Sequence, residues 1–219
     1  SKVLNLTNNS SSSLTLPQDL YSGVTEGFTV SFWAQASGGN YARIFESSTY
    51  ELGTKSWPYN SNEIGLVAGG GDYDVALGDD SSQGNVKLTN ALGTEQWSYI
   101  TYSVKKDSVK VYVNGKENDS TDGKDVSAVL ANIFGKIGNF KYNAVGKSVY
   151  GDANPQLLMD DFRMYSEYFD EEQAKTLYAK ASGIFSVDDG ASDPNSDPDP
   201  AADEVPDPAF EYTFDDIKY

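Results

Sequence analysis

The chain of 219 residues has no cysteine and no histidine. The first absence excludes disulfides and thiolate metal sites. The second removes the usual general base of hydrolytic triads and the commonest transition-metal ligand. Basic residues are scarce: 16 Lys and Arg stand against 33 Asp and Glu, a formal charge of −17. A surface of that sign repels nucleic acid, whose binding rests on cations that neutralise phosphates, and it disfavours anionic membranes. Apolar runs of about 18 residues are lacking too, so no membrane-inserted helix is expected. What the chain does have is carboxylate oxygen, which suits hard cations such as calcium, and aromatic surface, with 15 Tyr, 10 Phe and 3 Trp. It opens on Ser1 with no leader-like segment and is expected to be a piece of a longer protein.

Alternation dominates the middle of the sequence. Phe28, Val30, Phe32 and Ala34 fall on one face of a strand, with Thr29, Ser31, Trp33 and Gln35 on the other. Short strands are expected at Val3–Leu6 and Tyr41–Phe45, and at Ile64–Val67 before Gly69-Gly70-Gly71. Tyr99–Val113 reads as a hairpin: Ile100, Tyr102 and Val104 face one way, and Val109, Val111 and Val113 return after Lys105-Lys106-Asp107. Asn114-Gly115 follows, a pair that tolerates the positive φ of a type I′ turn. Ile133–Phe140 and Leu157–Tyr165 are expected as the last core strands. Asp170, with Gln173 three residues on and Glu171 and Glu172 between, opens a helix that runs to about Ala179 and sets Leu177 and Tyr178 against the body. The fold class is therefore all-β, a sandwich of two antiparallel sheets with a short C-terminal helix.

Composition divides the chain in three. Residues 1–183 hold the sandwich. Residues 184–208 form an acidic linker, with Pro194, Pro198, Pro200, Pro206 and Pro208 and too little apolar surface to fold alone. Residues 209–219 alternate again, as Phe210-Glu211-Tyr212-Thr213-Phe214.

Four strings in order carry a resemblance. Phe28-Thr29-Val30-Ser31-Phe32-Trp33, Trp97-Ser98-Tyr99-Ile100-Thr101-Tyr102, Val111-Tyr112-Val113-Asn114-Gly115-Lys116, and Met159-Asp160-Asp161-Phe162-Arg163-Met164-Tyr165 with Asp170-Glu171-Glu172 resemble the laminin-G-like, concanavalin-A-like jelly-roll family. The likeness covers roughly residues 1–182. It implies a jelly-roll sandwich of the kind appended to bacterial secreted glycoside hydrolases and surface proteins, but one fold hosts many ligands. Family members usually begin with a strand resembling Tyr-x-Phe-Asp-Asp. That string is missing before Val3 and stands instead at Tyr212-Thr213-Phe214-Asp215-Asp216. It reads as the first strand of a following tandem module. A sharper reading has this tail also fill the vacant strand position, in its own molecule or in a neighbour.

Three chemistries are open. The resemblance implies structural calcium near Asp160 and Asp161, with Asp215 or Asp216 joining if the tail docks. From the residues alone, alternation sends one carboxylate of the Asp160-Asp161 pair inward or to the rim and the other to solvent. A buried one needs a cation or Arg163 beside it. Otherwise the pair is a solvated strand end with one hydrogen-bonded Asp. Asn118–Asp125, and Asp72, Asp74, Asp79 and Asp80, read as polar loops. Carbohydrate binding calls for aromatic platforms beside amides or carboxylates. The loop over residues 46–63 supplies Tyr50, Trp57, Tyr59, Asn60 and Asn62, with Tyr73, Tyr142 and Tyr150 in loops that could converge on it; the alternative is that Trp57 packs as a lid on the sandwich edge. Trp33 and Trp97 read as packing residues. Catalysis has the weakest basis, because the Glu-x-Asp-x-x-Glu strand of jelly-roll glucanases is missing and scattered acids make no site. The reading is a non-catalytic, extracellular or cell-surface carbohydrate-binding module whose partners are a glycan and other modules of its polypeptide. The rival is a structural or adhesive spacer.

Overall fold

The computed structural model describes residues 3–7, 12–37, 41–54, 62–69, 72–78, 83–87, 96–121, 125–183 and 205–212. In chain order the elements are β1 (Leu4–Asn5), β2 (Leu14–Thr15), β3 (Gly27–Ser37), β4 (Ala42–Ser48), β5 (Glu63–Gly69), β6 (Asp72–Gly78), β7 (Gln83–Lys87), β8 (Ser98–Lys105), β9 (Ser108–Val113), β10 (Lys116–Ser120), helix α1 (Ser127–Lys136), β11 (Tyr142–Val145), β12 (Gln156–Tyr165), helix α2 (Glu171–Ser182) and β13 (Phe210–Tyr212). The strands form two antiparallel sheets. The seven-stranded sheet runs β1-β12-β3-β8-β9-β10, with β13 also on β12, and the six-stranded sheet runs β2-β11-β4-β5-β6-β7.

The core lies between the sheets. Phe28, Val30, Phe32 and Ala34 of β3 meet Ile100, Tyr102 and Val104 of β8, and Ile44, Phe45, Ile64 and Leu66 join from the other sheet. Phe162 joins the layers: it stacks on Phe32 at 6.0 Å and meets Phe45 edge-on at 6.2 Å. Burying a side chain of this kind is worth roughly 1.5–3 kcal/mol, so the alternation alone commits these segments to a sandwich. At the β9–β10 turn Asn114 and Gly115 take φ of 51° and 73°, the left-handed pair that a type I′ turn demands.

Three local expectations are corrected. Ile133–Phe140 is no strand: α1 covers 127–136 and a short 3-10 turn follows over Ile137–Asn139. Val126, Leu130, Ile133, Phe134 and Ile137 are all buried, spaced as a helical stripe. Asp72 and Asp74 lie in β6 and Asn118 in β10, both read as loops; ladder partners on neighbouring strands outweigh the poor strand propensity of Asp72 and Asp74, and Asn118 sits at the register shift of β10 against β9. Finally, β12 has a bulge. Its register against β3 shifts between Asp160 and Arg163, and Asp161 sits at φ +56°. One extra residue lets Leu157, Met159, Phe162 and Met164 all face inward. Asp160 and Asp161 both stay half-buried instead of dividing between core and solvent.

Helix α2 covers the outer face of the seven-stranded sheet. It starts with a reciprocal cap: the Asp170 carboxylate accepts from the Gln173 amide at 3.0 Å, and the Gln173 side chain accepts from the Asp170 amide at 3.1 Å. Its Leu177 packs with Tyr99, Tyr165 and Phe169, flanked by Trp33, Tyr178, Ala181 and Val205.

Candidate functional site

The sheets' outer faces carry the two candidate surfaces. On the six-stranded sheet, the segments around Tyr50 and Tyr150 fold over β4 and β5. Tyr50 is half-buried on a small cluster of Leu52, Ala144, Val149 and Tyr150. Asn62 is buried and braces this layer: its carbonyl accepts from the Thr49 amide (3.2 Å) and the Ser48 hydroxyl (2.8 Å), and its side chain accepts from Lys136 (3.1 Å) and donates to Thr49 (3.2 Å). The structure thus brings Tyr50, Asn62 and Tyr150 together, with Asn62 engaged inward. Tyr142 lies on β11 and is 40% exposed. Trp57, Tyr59 and Asn60 fall outside the described residues, as does the side chain of Tyr73 on β6.

Beneath that layer sits a buried ionic cluster. The Arg43 guanidinium donates to the Glu46 carboxylate, lies 3.9 Å from Glu63 and 3.7 Å from Asp152, and donates to the Tyr41 carbonyl at 2.8 Å. Tyr150 donates to Glu63 at 3.1 Å, and the Val149 amide donates to Glu46. Burial pushes the Glu46 carboxyl up to about 8; Arg43 and the Val149 amide oppose this shift and Glu63 adds to it. For Arg43, burial works against its charge but the three carboxylates outweigh it, and its pKa rises. One guanidinium faces two wholly buried carboxyls and the partly exposed Asp152, an excess of negative charge that favours a proton on the buried pair. Arg43, Glu46 and Glu63 are at most 1% exposed and offer no face to a sugar.

The second surface is a groove on the seven-stranded sheet, about 310 Å³ in volume and lined by Val3, Trp33, Trp97 and Asp160. Register explains the grouping. Trp33 of β3 pairs with Asp160 of β12 on one side and Tyr99 of β8 on the other. Trp97, two residues before Tyr99, has the same face parity. Trp33 is held against Tyr99 at 5.2 Å and Tyr178 at 6.1 Å, whereas Trp97 is 39% exposed. Asp160 accepts from the Asp161 amide at 2.9 Å. Asp161 has a counter-charge in Arg163, at 2.9 Å, which also reaches Glu211 at 3.1 Å. Burial raises the Asp161 pKa, Arg163 opposes that, and Glu211 and Asp160 add to it. Among the described residues no three acids gather as a metal site; Asp215 and Asp216 lie outside them.

Sequence reasoning assigned Trp33 and Trp97 to packing. Trp33 does pack, against the cluster of Tyr99, Phe169 and Leu177 under α2; Trp97 departs from that expectation, because it lies one residue before β8 and is 39% exposed. A larger cavity of about 670 Å³ lies by Lys105, Lys106 and Tyr168. Its lysines already have partners: Lys106 holds Glu26 at 2.7 Å, and Lys105 lies 3.5 Å from Asp107 and over the Tyr168 ring at 5.2 Å.

A laminin G model, described as the concanavalin A-like lectin/glucanases superfamily, matches residues 8–175. The chain belongs to this superfamily. No curated protein matches it significantly by sequence. Among solved structures of the superfamily's fold, it is similar to domain 4 of AbnA, a GH43 extracellular arabinanase from Geobacillus stearothermophilus solved with arabinotriose: 21% identity, 81% of this chain and 82% of that one covered, TM-score 0.57. It is also similar to the botulinum neurotoxin serotype C1 binding domain (18% identity, 77% and 40% covered, TM-score 0.51). The binding domain of Paraclostridial Mosquitocidal Protein 1 is a third (14%, 82% and 45%, 0.51). The chain spans less than half the length of these two toxin domains. The two toxin structures are binding domains by name, and the arabinanase structure is one domain of that enzyme. Among the described residues no helix is long and apolar enough to cross a membrane.

Proposed function

We propose that this superfamily member is a non-catalytic glycan-binding module of a larger extracellular bacterial polysaccharide-degrading protein, and that the Trp33–Trp97 groove seats the sugar. One observation carries the proposal: two indoles and a carboxylate line an open groove on a rigid sheet. Sugars present apolar C–H faces ringed by hydroxyls, so an indole platform beside an oriented carboxylate matches both halves. The volume lies at the low end of ligand sites, which run from about 300 Å³ upward, and suits about one sugar ring. Trp33 is fixed by Tyr99 and Tyr178, so little side-chain entropy remains to be lost on binding. The surrounding charge selects neutral glycans: Asp160 and a formal −17 repel uronates and sulfated sugars. Domain 4 of AbnA, solved with arabinotriose, makes neutral arabino-oligosaccharides the first probe.

Calcium near Asp160 and Asp161 belongs to the same proposal as a structural ion. Asp161 already has Arg163 as its counter-charge, so only a modest effect is expected. Thermal midpoints with calcium and with a chelator test it, and equal values would remove it. The function itself is tested on an array of neutral and acidic polysaccharides. The expected pattern is binding to neutral glycans that Trp97→Ala weakens about tenfold or more, the scale set by burying one apolar platform. Absence of binding to any glycan would favour the spacer role.

A further inference from the structure

The strands that pair with the outer edge of β12 come from opposite ends of the chain. Leu4 and Asn5 of β1 lie opposite Met159 and Leu158. Phe210, Glu211 and Tyr212 of β13 lie opposite Met164, Arg163 and Phe162. Between them is the Asp160–Asp161 bulge, whose Asp160 lines the groove. The β13 contacts follow strand alternation. Phe210 and Tyr212 pack onto the main core, with the Phe210 ring 6.4 Å from Phe162 and roughly perpendicular to it. Glu211 points to the other face and holds Arg163 at 3.1 Å. Upstream, Val205 packs on the cluster of Tyr99, Tyr165, Phe169 and Leu177 under α2.

We propose that the outer edge of β12 is a strand-acceptor site for an aromatic–acid–aromatic segment, filled in cis by Phe210–Tyr212. The Pro- and Asp-rich stretch before it then has both its ends on this one module and is not a spacer, and β13 runs along β12 toward the Asp160–Asp161 bulge. Tethering decides for cis. The donor strand and its acceptor belong to one chain, and a tether that lets both meet supplies an effective concentration on the order of 1 mM. A segment with an intrinsic Kd of only about 0.1 mM is therefore docked about ten times out of eleven. A second copy at micromolar concentration competes poorly with that. Docking also covers a bare edge that would otherwise pair with other chains. In a multi-module protein, the acidic stretch would thus tie the next module close to the ligand groove instead of holding it away.

The chain's lack of cysteine makes the test clean. Arg163 and Glu211 are directly opposed, and such cross-strand pairs place their Cβ atoms about 4.5–5.5 Å apart. The double variant Arg163→Cys with Glu211→Cys, oxidised at micromolar concentration, is expected to give a monomer with an internal disulfide. The amides of Phe210–Tyr212 in the unaltered chain are expected to exchange more slowly than those of 184–204, and Phe210→Ser with Tyr212→Ser is expected to remove that protection. A disulfide-linked dimer would overturn docking in cis. Free thiols together with unprotected 210–212 amides would overturn the acceptor site itself. Neither readout depends on glycan binding, so this inference and the proposed function fail separately.

Discussion

The outer faces of the two sheets use polar and aromatic side chains in opposite ways. On the six-stranded sheet, Arg43, Glu46 and Glu63 are sealed beneath Tyr150 and Val149, out of reach of any ligand. On the seven-stranded sheet, Trp33 and Trp97 keep a groove open beside Asp160. Charges without water commit a face to structure, because every group must find its partner inside. Trp97, left wet beside the packed Trp33, offers apolar area whose burial awaits a partner. Under the proposed function, the first face serves stability and the groove on the second serves recognition.

Four measurements sharpen or break that contrast. The largest effect is expected from Arg43→Ala, which strands two buried carboxyls and should cost about 3–5 kcal/mol in urea unfolding; a loss under about 1 kcal/mol would mean the cluster is wetter than it looks. The same face should respond to pH. Burial holds the Glu46 carboxyl at about 8 against an ordinary 4.5. The folded state therefore binds a proton that the unfolded chain releases, and acid favours folding. That contribution is complete below about pH 4.5, is lost as pH rises to about 8, and should vanish in Glu46→Gln. Urea midpoints of the unaltered chain should fall more steeply between these limits than those of the variant; parallel lines would place the proton elsewhere. Phe210→Ala, at a half-buried strand on the other sheet, should cost about 1–2 kcal/mol. The smallest change belongs to Trp97→Ala, whose exposed ring should alter stability by less than about 0.5 kcal/mol.

The sandwich was legible because Phe28–Gln35 and Tyr99–Val113 alternate apolar and polar residues, which gives each strand one apolar face for the core, although the structure buries the other face of β8 as well. The helix cap at Asp170 was legible from chemistry local to four residues. α1 was not, because Ile133–Phe140 viewed alone fits a strand, and only Val126 and Leu130 upstream reveal the helical spacing. The β12 bulge was hidden for a different reason. Alternation rules assume no extra residue, and Asp161 at positive φ breaks the count without any glycine to announce it. The proposed site was least legible. Trp33, Trp97 and Asp160 are scattered along the sequence, and only the register of β12, β3 and β8 sets them side by side. The buried Arg43–Glu46–Glu63 cluster likewise comes from pairing β4 with β5, which no local motif records.

The central claim is that recognition belongs to the groove between Trp33 and Trp97. Calorimetric titration of arabinotriose and other neutral oligosaccharides into the unaltered chain, Trp97→Ala and Trp57→Ala tests it most directly. The account predicts binding that Trp97→Ala weakens about tenfold or more, while Trp57→Ala leaves it near that of the unaltered chain. Full affinity in Trp97→Ala together with its loss in Trp57→Ala would contradict the account and move the site to the segment between β4 and β5.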